Sequence, residues 1–462
     1  MYPEPELLTK SVWKENLLKN MGSRLGIVTE GYDPYRRLSM FDNFMVKQSN
    51  IYPADSLITR KDWNLIVDHY LSGAPDIPLS QEPKEKITEY LPGFKTRIVD
   101  NLPTQPLTTL IKIDTSDRKI YWGSRLGDLM EVDSSGKQKM LALESAPSDL
   151  ISYGTYNYVI TMGVMDPSEE SKGNLYQVQG WSIDTLLIKL QRPVHLSMAD
   201  LDADGLNDFV VSQFGNQTGR LSWFRLDENG KFQEQIIKNV AGAVKTEVRD
   251  FNNDGKMDIM ALFGQGEERI SIFYQTRGNS FREEVLLRFP PVYGSSNFQL
   301  LDFNGDRQLD ILYTNGDNAD YSYSLKPYHG TRVYLNQGDF SYQLAYFYPL
   351  YGATKSMAGD FDQDGDMDMF TICFFPDFEA DFPEGFVYFE NRGDLNFKPY
   401  TFPESVNGRW LVADTGDVDG DGDEDIVLGS FLHLVNVAPR ELIEQWTSKW
   451  YHMVVLENTL VD

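Results

Sequence analysis

The sequence predicts a mainly β fold, a seven-bladed β-propeller with calcium-binding loops, preceded by a small helical region. Three observations predict it. A nine-residue acidic motif recurs five times, its starts are 50, 52, 58 and 57 residues apart, and each copy runs into a short strand-forming stretch. A β-rich period of this length belongs to propeller blades rather than to helical solenoids.

The first copy is Asp200-Leu-Asp202-Ala-Asp204-Gly-Leu206-Asn-Asp208. The second is Asp250-Phe-Asn252-Asn-Asp254-Gly-Lys256-Met-Asp258, and the third is Asp302-Phe-Asn304-Gly-Asp306-Arg-Gln308-Leu-Asp310. The last two are Asp360-Phe-Asp362-Gln-Asp364-Gly-Asp366-Met-Asp368 and Asp417-Val-Asp419-Gly-Asp421-Gly-Asp423-Glu-Asp425. A hard cation such as Ca²⁺ takes six to eight oxygen ligands, and side chains at positions 1, 3 and 5 of a tight turn converge on one point. The position-7 carbonyl (Leu206, Lys256, Gln308, Asp366, Asp423) can turn inward, and the ninth Asp closes the shell. An EF-hand needs a Glu at position 12, whereas these copies carry Val211, Ala261, Tyr313, Thr371 and Leu428 there. So much negative charge in nine residues repels itself without a cation. About five Ca²⁺ sites are therefore expected. The third is the least certain, because Arg307 replaces the usual glycine and Asn304 removes a charge.

Strand runs follow each copy: Phe209-Val-Val-Ser, Ile259-Met-Ala-Leu-Phe, Ile311-Leu-Tyr, Met369-Phe-Thr-Ile and Ile426-Val-Leu. A further alternating strand comes next in each repeat, as in Arg269-Ile-Ser-Ile272-Phe-Tyr274 and Phe386-Val-Tyr388-Phe-Glu-Asn391. Two degenerate repeats are expected upstream, one placing Asp149 at a loop start and one around Ile113–Ile120, which makes seven blades. The last repeat lacks an outer strand after Asn458, and Phe94-Lys-Thr-Arg-Ile-Val-Asp100 is expected to supply it and cover the open edge.

These loops, with Phe214-Gly215 and Phe263-Gly264 behind two of them, resemble the FG-GAP/VCBS repeat family of integrin alpha-subunit propellers and many secreted bacterial proteins. The resemblance covers about residues 110–460. It implies a seven-bladed propeller with structural Ca²⁺ but no single function, since such propellers serve adhesion, glycan binding, enzyme scaffolding and partner binding.

The formal net charge is −27, which five Ca²⁺ ions would bring to about −17. That acidity argues against nucleic acid or an anionic membrane surface as partner. No apolar run has the length of a membrane span. Cys373 is the single cysteine, so no internal disulfide forms, and a buried inert thiol is expected. Calcium loops of this type suit a periplasmic, cell-surface or extracellular location. The first twenty residues are polar and show no export signal, which reads as a truncated or mature form.

Residues 1–90 are expected to form a helical domain ahead of the propeller over 91–462. Thr9 caps a helix with Trp13, Leu17, Leu18 and Met21 on one face, and Thr59-Arg-Lys-Asp62 opens a second with Trp63, Ile66, Val67, Tyr70 and Leu71 inward. Met40-Phe41-Asp-Asn-Phe44-Met45 is read as a connector. The run Tyr2-Pro-Glu-Pro-Glu-Leu-Leu with the Trp13 helix resembles small c-type cytochrome domains fused ahead of VCBS propellers. The haem-attaching Cys-x-x-Cys-His segment of those domains is not in this chain, so haem is not supported, although Met21, Met40 and Met45 are candidate distal ligands.

The function expected is a calcium-stabilised binding or scaffold propeller of the cell envelope or extracellular space, holding a protein or glycan partner. Two alternatives are a polysaccharide lyase or other carbohydrate-active enzyme, which would need a His, Tyr, Lys or Arg cluster in the central cleft, with His195, His329 and His433 as candidate members, and a redox protein whose haem segment precedes this chain.

Overall fold

The structure is a computed structural model describing residues 2–100, 102, 104–133, 138–317, 324–380, 382, 384–433 and 438–460. Seven sheets, each with four antiparallel strands and one with a short parallel strand added, form seven blades around one axis. Their innermost strands are Thr108–Asp114, Pro147–Tyr153, Pro193–Ala199, Ala243–Arg249, Ser295–Leu301, Ala353–Gly359 and Trp410–Gly416. Blades 1 to 7 are numbered in that order. Every inner strand is bulged near its start, between Thr108 and Leu110 in blade 1 and between Trp410 and Val412 in blade 7. A bulge sharpens the local twist, which suits strands crowded at a hub.

Seven apolar clusters fill the seven interfaces between blades. Between blades 3 and 4, Val210, Leu221 and Trp223 meet Ile259, Ala261 and Phe263; between blades 7 and 1, Val427 and Val455 meet Ile120 and Trp122. Second strands such as Asp258–Phe263 and Asp425–Ser430 are buried along their whole length, because both faces lie against neighbouring blades. This is why they read as unbroken apolar runs.

Polar side chains stitch the same interfaces at the hub. Thr109 donates to Pro147 O (2.8 Å), Ser148 to Pro193 O (2.8 Å), Ser197 to Thr246 O (3.2 Å) and Lys245 to Phe298 O (2.9 Å). Asn297 donates to Ser356 O (2.8 Å) and Lys355 to Ala413 O (2.7 Å), and Asp414 accepts from Ile113 N (2.9 Å). Each blade thus bonds its successor, and the last bonds the first.

The ring is closed as the sequence predicts. Strand Phe94–Val99 lies antiparallel to Met453–Asn458 as the outer strand of blade 7, pairing Phe94 with Asn458 and Val99 with Met453. Phe94 also reaches blade 6, its ring edge-on to Phe361 and Tyr388. The chain just before it runs along the ring's rim. Tyr348 Oη donates to Glu85 O (2.6 Å), Lys84 pairs with Glu384 (2.6 Å), and Thr88–Glu89 adds a parallel strand beside Phe397–Thr401.

Three helical segments precede it. The first begins at Lys10, passes through a π-turn over Trp13–Leu17 and ends at Arg24, with Thr9 capping Val12 N. The last, Arg60–Gly73, is capped by Thr59 accepting from Asp62 N (3.1 Å). Trp13, Leu18, Trp63 and Tyr70 form their shared core, with Met21 partly buried against it. Met40–Gln48 is a helix rather than a connector: Ser39 caps it and Asp42 is buried, while Met40, Phe41 and Phe44 are exposed. Asp42 explains the docking, since its carboxylate accepts from Ser168 Oγ (3.1 Å) and Glu169 N (2.6 Å) of blade 2. A further helix that the repeat pattern does not announce, Arg440–Ser448, is inserted in blade 7 and buries Trp446 against Phe378. No helix among the described residues is long and apolar enough to cross a membrane.

Candidate metal sites

The five acidic loops join the first and second strands of blades 3 to 7, on the ring face opposite the loops that receive the N-terminal helices. They share one backbone path. The fourth residue has positive φ in all five (Ala203, Asn253, Gly305, Gln363, Gly420), and so does the sixth (Gly205, Gly255, Arg307, Gly365, Gly422). Glycine enters that region freely and other residues at a cost. The third loop therefore has its glycine at the fourth place and strain at the sixth, where Arg307 sits at φ 67°.

This path folds backbone N–H groups onto the first carboxylate. Asp200 accepts from Asp204 N (3.1 Å) and Gly205 N (2.9 Å), and Asp250 from Asp254 N (3.1 Å) and Gly255 N (2.8 Å). Asp302 accepts from Asp306 N (3.1 Å) and Arg307 N (2.7 Å), Asp360 from Gly365 N (3.2 Å), and Asp417 from Gly420 N (2.5 Å). These bonds hold the first carboxylate of each loop against its own backbone.

The ninth Asp does more than close a shell. Asp208, Asp258, Asp310, Asp368 and Asp425 are all fully buried. Asp258 accepts from Phe251 N (3.2 Å) and Gln275 N (2.8 Å), Asp310 from Phe303 N (2.8 Å) and Asn336 N (2.8 Å), and Asp425 from Val418 N (2.8 Å) and Asn458 N (2.8 Å). Asp368 accepts from Asn391 N (2.7 Å) and Tyr388 Oη (2.7 Å). This residue anchors the loop to the third strand of its own blade. In return Asn336, Asn391 and Asn458 donate side-chain N–H groups to Leu309 O, Met367 O and Glu424 O. Burial raises the carboxyl pKa of each anchor, to about 6 for Asp208 and Asp425 and about 7 for Asp368, with neighbouring loop carboxylates adding to it.

The loops differ in how well they suit a cation. Carboxylate oxygens converge within 4.8 Å of one another in three of them: Asp200, Asp202 and Asp208; Asp360, Asp362 and Asp364; Asp417, Asp419 and Asp425. Each of those three also holds a buried carboxylate oxygen without a hydrogen-bond partner, on Asp202, Asp360 and Asp421. A buried acceptor left so is costly, and a cation satisfies it. In the second and third loops Asn252 and Asn304 stand at position 3 and accept from Asp254 N and Asp306 N. The amides of Asn304 and Gln308 also donate to Asp306 (3.2 and 3.4 Å). Lys256 lies 3.6 Å from Asp254. Arg225 stands at the same distance from Asp202 in the first loop, so what sets the second and third loops apart is the neutral Asn at position 3 and, in the third, the amides that donate to Asp306.

Upstream, the sequence alignment misplaces one residue. Asp149 lies on the inner strand of blade 2, where it accepts from Leu196 N (2.9 Å), and a two-residue turn stands where the degenerate loop was expected to start at Asp149. The three histidines do not gather. His195 bonds to Thr246 in blade 4, His329 is buried beneath Tyr328 in blade 5, and His433 packs on Phe431 in blade 7. Cys373 is buried, and burial pushes its thiol pKa well up.

Residues 200–261 and 250–313 match the FG-GAP-like repeat family, so this is a β-propeller that carries FG-GAP-like repeats. No curated protein matches the chain in sequence. Among solved structures, a virginiamycin B lyase from Staphylococcus aureus is similar at TM-score 0.50 and 10% identity, over 79% of this chain and 98% of that one. The Pan2 WD40 domain from Neurospora crassa is similar at TM-score 0.47 and 11% identity, over 80% and 96%. At these identities the first likeness speaks for the fold alone.

Proposed function

We propose that this protein is a calcium-stabilised propeller of the cell envelope or extracellular space that holds a protein or glycan partner. The carrying observation is the coincidence, in the loops of blades 3, 6 and 7, of converging carboxylates with an orphaned buried oxygen. There Asp200, Asp202, Asp204 and Asp208, with the Leu206 carbonyl, would hold one ion. Asp360, Asp362, Asp364 and Asp368, with the Asp366 carbonyl, would hold a second, and Asp417, Asp419, Asp421 and Asp425, with the Asp423 carbonyl, a third. The loops at Asp250–Asp258 and Asp302–Asp310 bind more weakly, through the same positions and the Lys256 and Gln308 carbonyls. FG-GAP-like repeats and an acidic surface favour a calcium-rich compartment and a scaffold role. His195, His329 and His433 stand in different blades, so they supply no histidine cluster for the enzyme reading.

Extracellular-type sites have dissociation constants of roughly 0.1–1 mM, so 10 mM calcium should stabilise the fold by about 1.4–2.7 kcal/mol per site. Calorimetric melting with calcium and with EGTA tests this, alongside Asp202→Asn, Asp360→Asn and Asp421→Asn. Each variant should remove one site's share. A melting temperature indifferent to calcium in the parent protein refutes the reading.

A further inference from the structure

Four of the acidic loops are joined in pairs across blade boundaries. The second residue of each loop (Leu201, Phe251, Phe303, Phe361, Val418) buries its side chain in an interface between blades. It stands between positions 1 and 3, both of them side-chain ligands in the expected shell. An ion that draws those two inward therefore also fixes the peptide between them. What differs from loop to loop is the group that holds its carbonyl. Leu201 O of blade 3 accepts from Gln275 Nε2 (2.8 Å), and Phe361 O of blade 6 accepts from Asn458 Nδ2 (2.7 Å). Gln275 and Asn458 end the third strands of the next blades, 4 and 7. There each also gives its backbone N–H to the ninth Asp of its own blade's loop, Gln275 to Asp258 and Asn458 to Asp425 (both 2.8 Å). One residue thus holds two loops at once.

These bridges are stiff. Gln275, Asn458, Leu201 and Phe361 are all buried, so neither bond is exchanged for one to water without cost. The second amide hydrogen of Asn458 goes to Glu424 O (3.3 Å) of its own loop, and its Oδ1 accepts from Thr459 N (2.9 Å). The amide cannot turn over without losing bonds. The two boundaries between the pairs are built otherwise. Asn336 and Asn391 hold the same place in blades 5 and 6 and bond Asp310 and Asp368 in the same way. Their amides turn back to Leu309 O (3.3 Å) and Met367 O (3.1 Å) within the blade. Among the described residues neither reaches Phe251 O or Phe303 O of the blade before it.

Building on the calcium reading of these loops, we propose that their sites fill in two linked pairs, blade 3 with 4 and blade 6 with 7, and that Gln275 and Asn458 are the links. An ion in the blade 6 loop fixes Asp360 and Asp362, and with them the Phe361 carbonyl. That steadies the Asn458 amide, whose backbone N–H then holds Asp425 in place for the neighbouring ion. Linkage is reciprocal, so an ion in blade 7 strengthens blade 6 by the same factor. In the other pair the blade 3 loop, with its converging carboxylates, supports the blade 4 loop, which Asn252 weakens. The blade 5 loop, with Asn304 and Arg307, has no such support and fills last.

Hydrogen exchange of the intact protein, followed by mass spectrometry over a calcium titration, reads each loop separately through residues 200–208, 250–258, 302–310, 360–368 and 417–425. Asp421→Asn cripples the blade 7 site. It should raise the calcium midpoint of 360–368 by about fivefold, the low end for coupled sites, and leave that of 200–208 unmoved. Asn458→Leu keeps the backbone bond to Asp425 and removes both amide donors, so in that background Asp421→Asn should move the midpoint no further. Gln275→Met makes the same cut in the other pair, so the outcome does not hang on the folding of one variant. There Asp202→Asn should raise the midpoint of 250–258 in the parent and not in Gln275→Met. Asp306→Asn, in the loop without a link, should leave 250–258 and 360–368 where they were. Neighbouring midpoints that stay put in Asp421→Asn and Asp202→Asn, or that move equally without the links, overturn the pairing and spare the calcium sites. Protection indifferent to calcium in every loop overturns both.

Discussion

Closure of the ring by residues 94–99 can be tested by removing its grip without breaking the chain. Phe94 and Ile98 are half-buried against the core shared by blades 6 and 7, four residues apart on the same face of the strand. Fully buried Phe→Ala and Ile→Ala substitutions cost about 2–5 kcal/mol. At half burial about 2 kcal/mol each is expected, so Phe94→Ala/Ile98→Ala should lose about 4 kcal/mol. For a ring of roughly 370 residues, with about 2.1 cal/mol/K of unfolding entropy per residue, that lowers the melting temperature by about 5 °C. Lys95→Ala, exposed between them, is the control and should stay within about 0.5 kcal/mol. Differential scanning calorimetry gives the shift, and hydrogen exchange shows where the ring opens. Amides of Met453–Asn458 should lose protection first, because that strand pairs directly with the closing one. If the double variant melts with the control, or exchange rises evenly over all blades, the strand is decoration and not a clasp.

Arg307→Gly should relieve the positive-φ strain of the third acidic loop, stabilise the protein by about 1 kcal/mol and raise that loop's affinity for calcium, as seen by thermal melting and calcium titration. Glu268 is buried, accepting from Gly294 N, Ser295 N and Ser295 Oγ, and burial raises its pKa from 4.5 to about 7. A carboxyl raised in the folded state gives stability that is full below about pH 4.5 and is lost as pH rises to about 7, a span of about 3 kcal/mol. Glu268→Gln should flatten that part of the profile in urea unfolding at pH 5 and pH 8, and equal slopes for both proteins would count against it. Asp42→Ala strips the acceptor from Ser168 and Glu169 and should undock the helical segments at a cost of about 2 kcal/mol. Limited proteolysis within residues 40–73 should then quicken while the ring's melting point holds.

Much of this fold was readable because five of the seven blades carry the same acidic turn followed by a strand buried on both sides. The closing strand was readable too, from a missing partner at one end and a spare strand at the other. The Met40–Gln48 helix was not, because Met40, Phe41 and Phe44 point outward and its buried face holds only Asp42 and Val46. Asp149 was misplaced because blade 2 turns in two residues, which a fixed repeat offset cannot see. The lysines at the hub had a signal that went unread: His195, Lys245, Asn297 and Lys355 each stand five residues before the first Asp of an acidic loop. Composition alone hides them, since each blade contributes its own residue type at that place.

The clasp also sets an order of events on the ribosome. Its first strand is made some 350 residues before the strand it must join, because Phe94 meets Asn458 and Val99 meets Met453. Until the final blade emerges, the early strand has no home, and the growing arc carries an uncovered face at each end. Residues 453–458 have to be made before this wheel can shut, and a nascent chain halted inside blade 7 is left with two sticky rims.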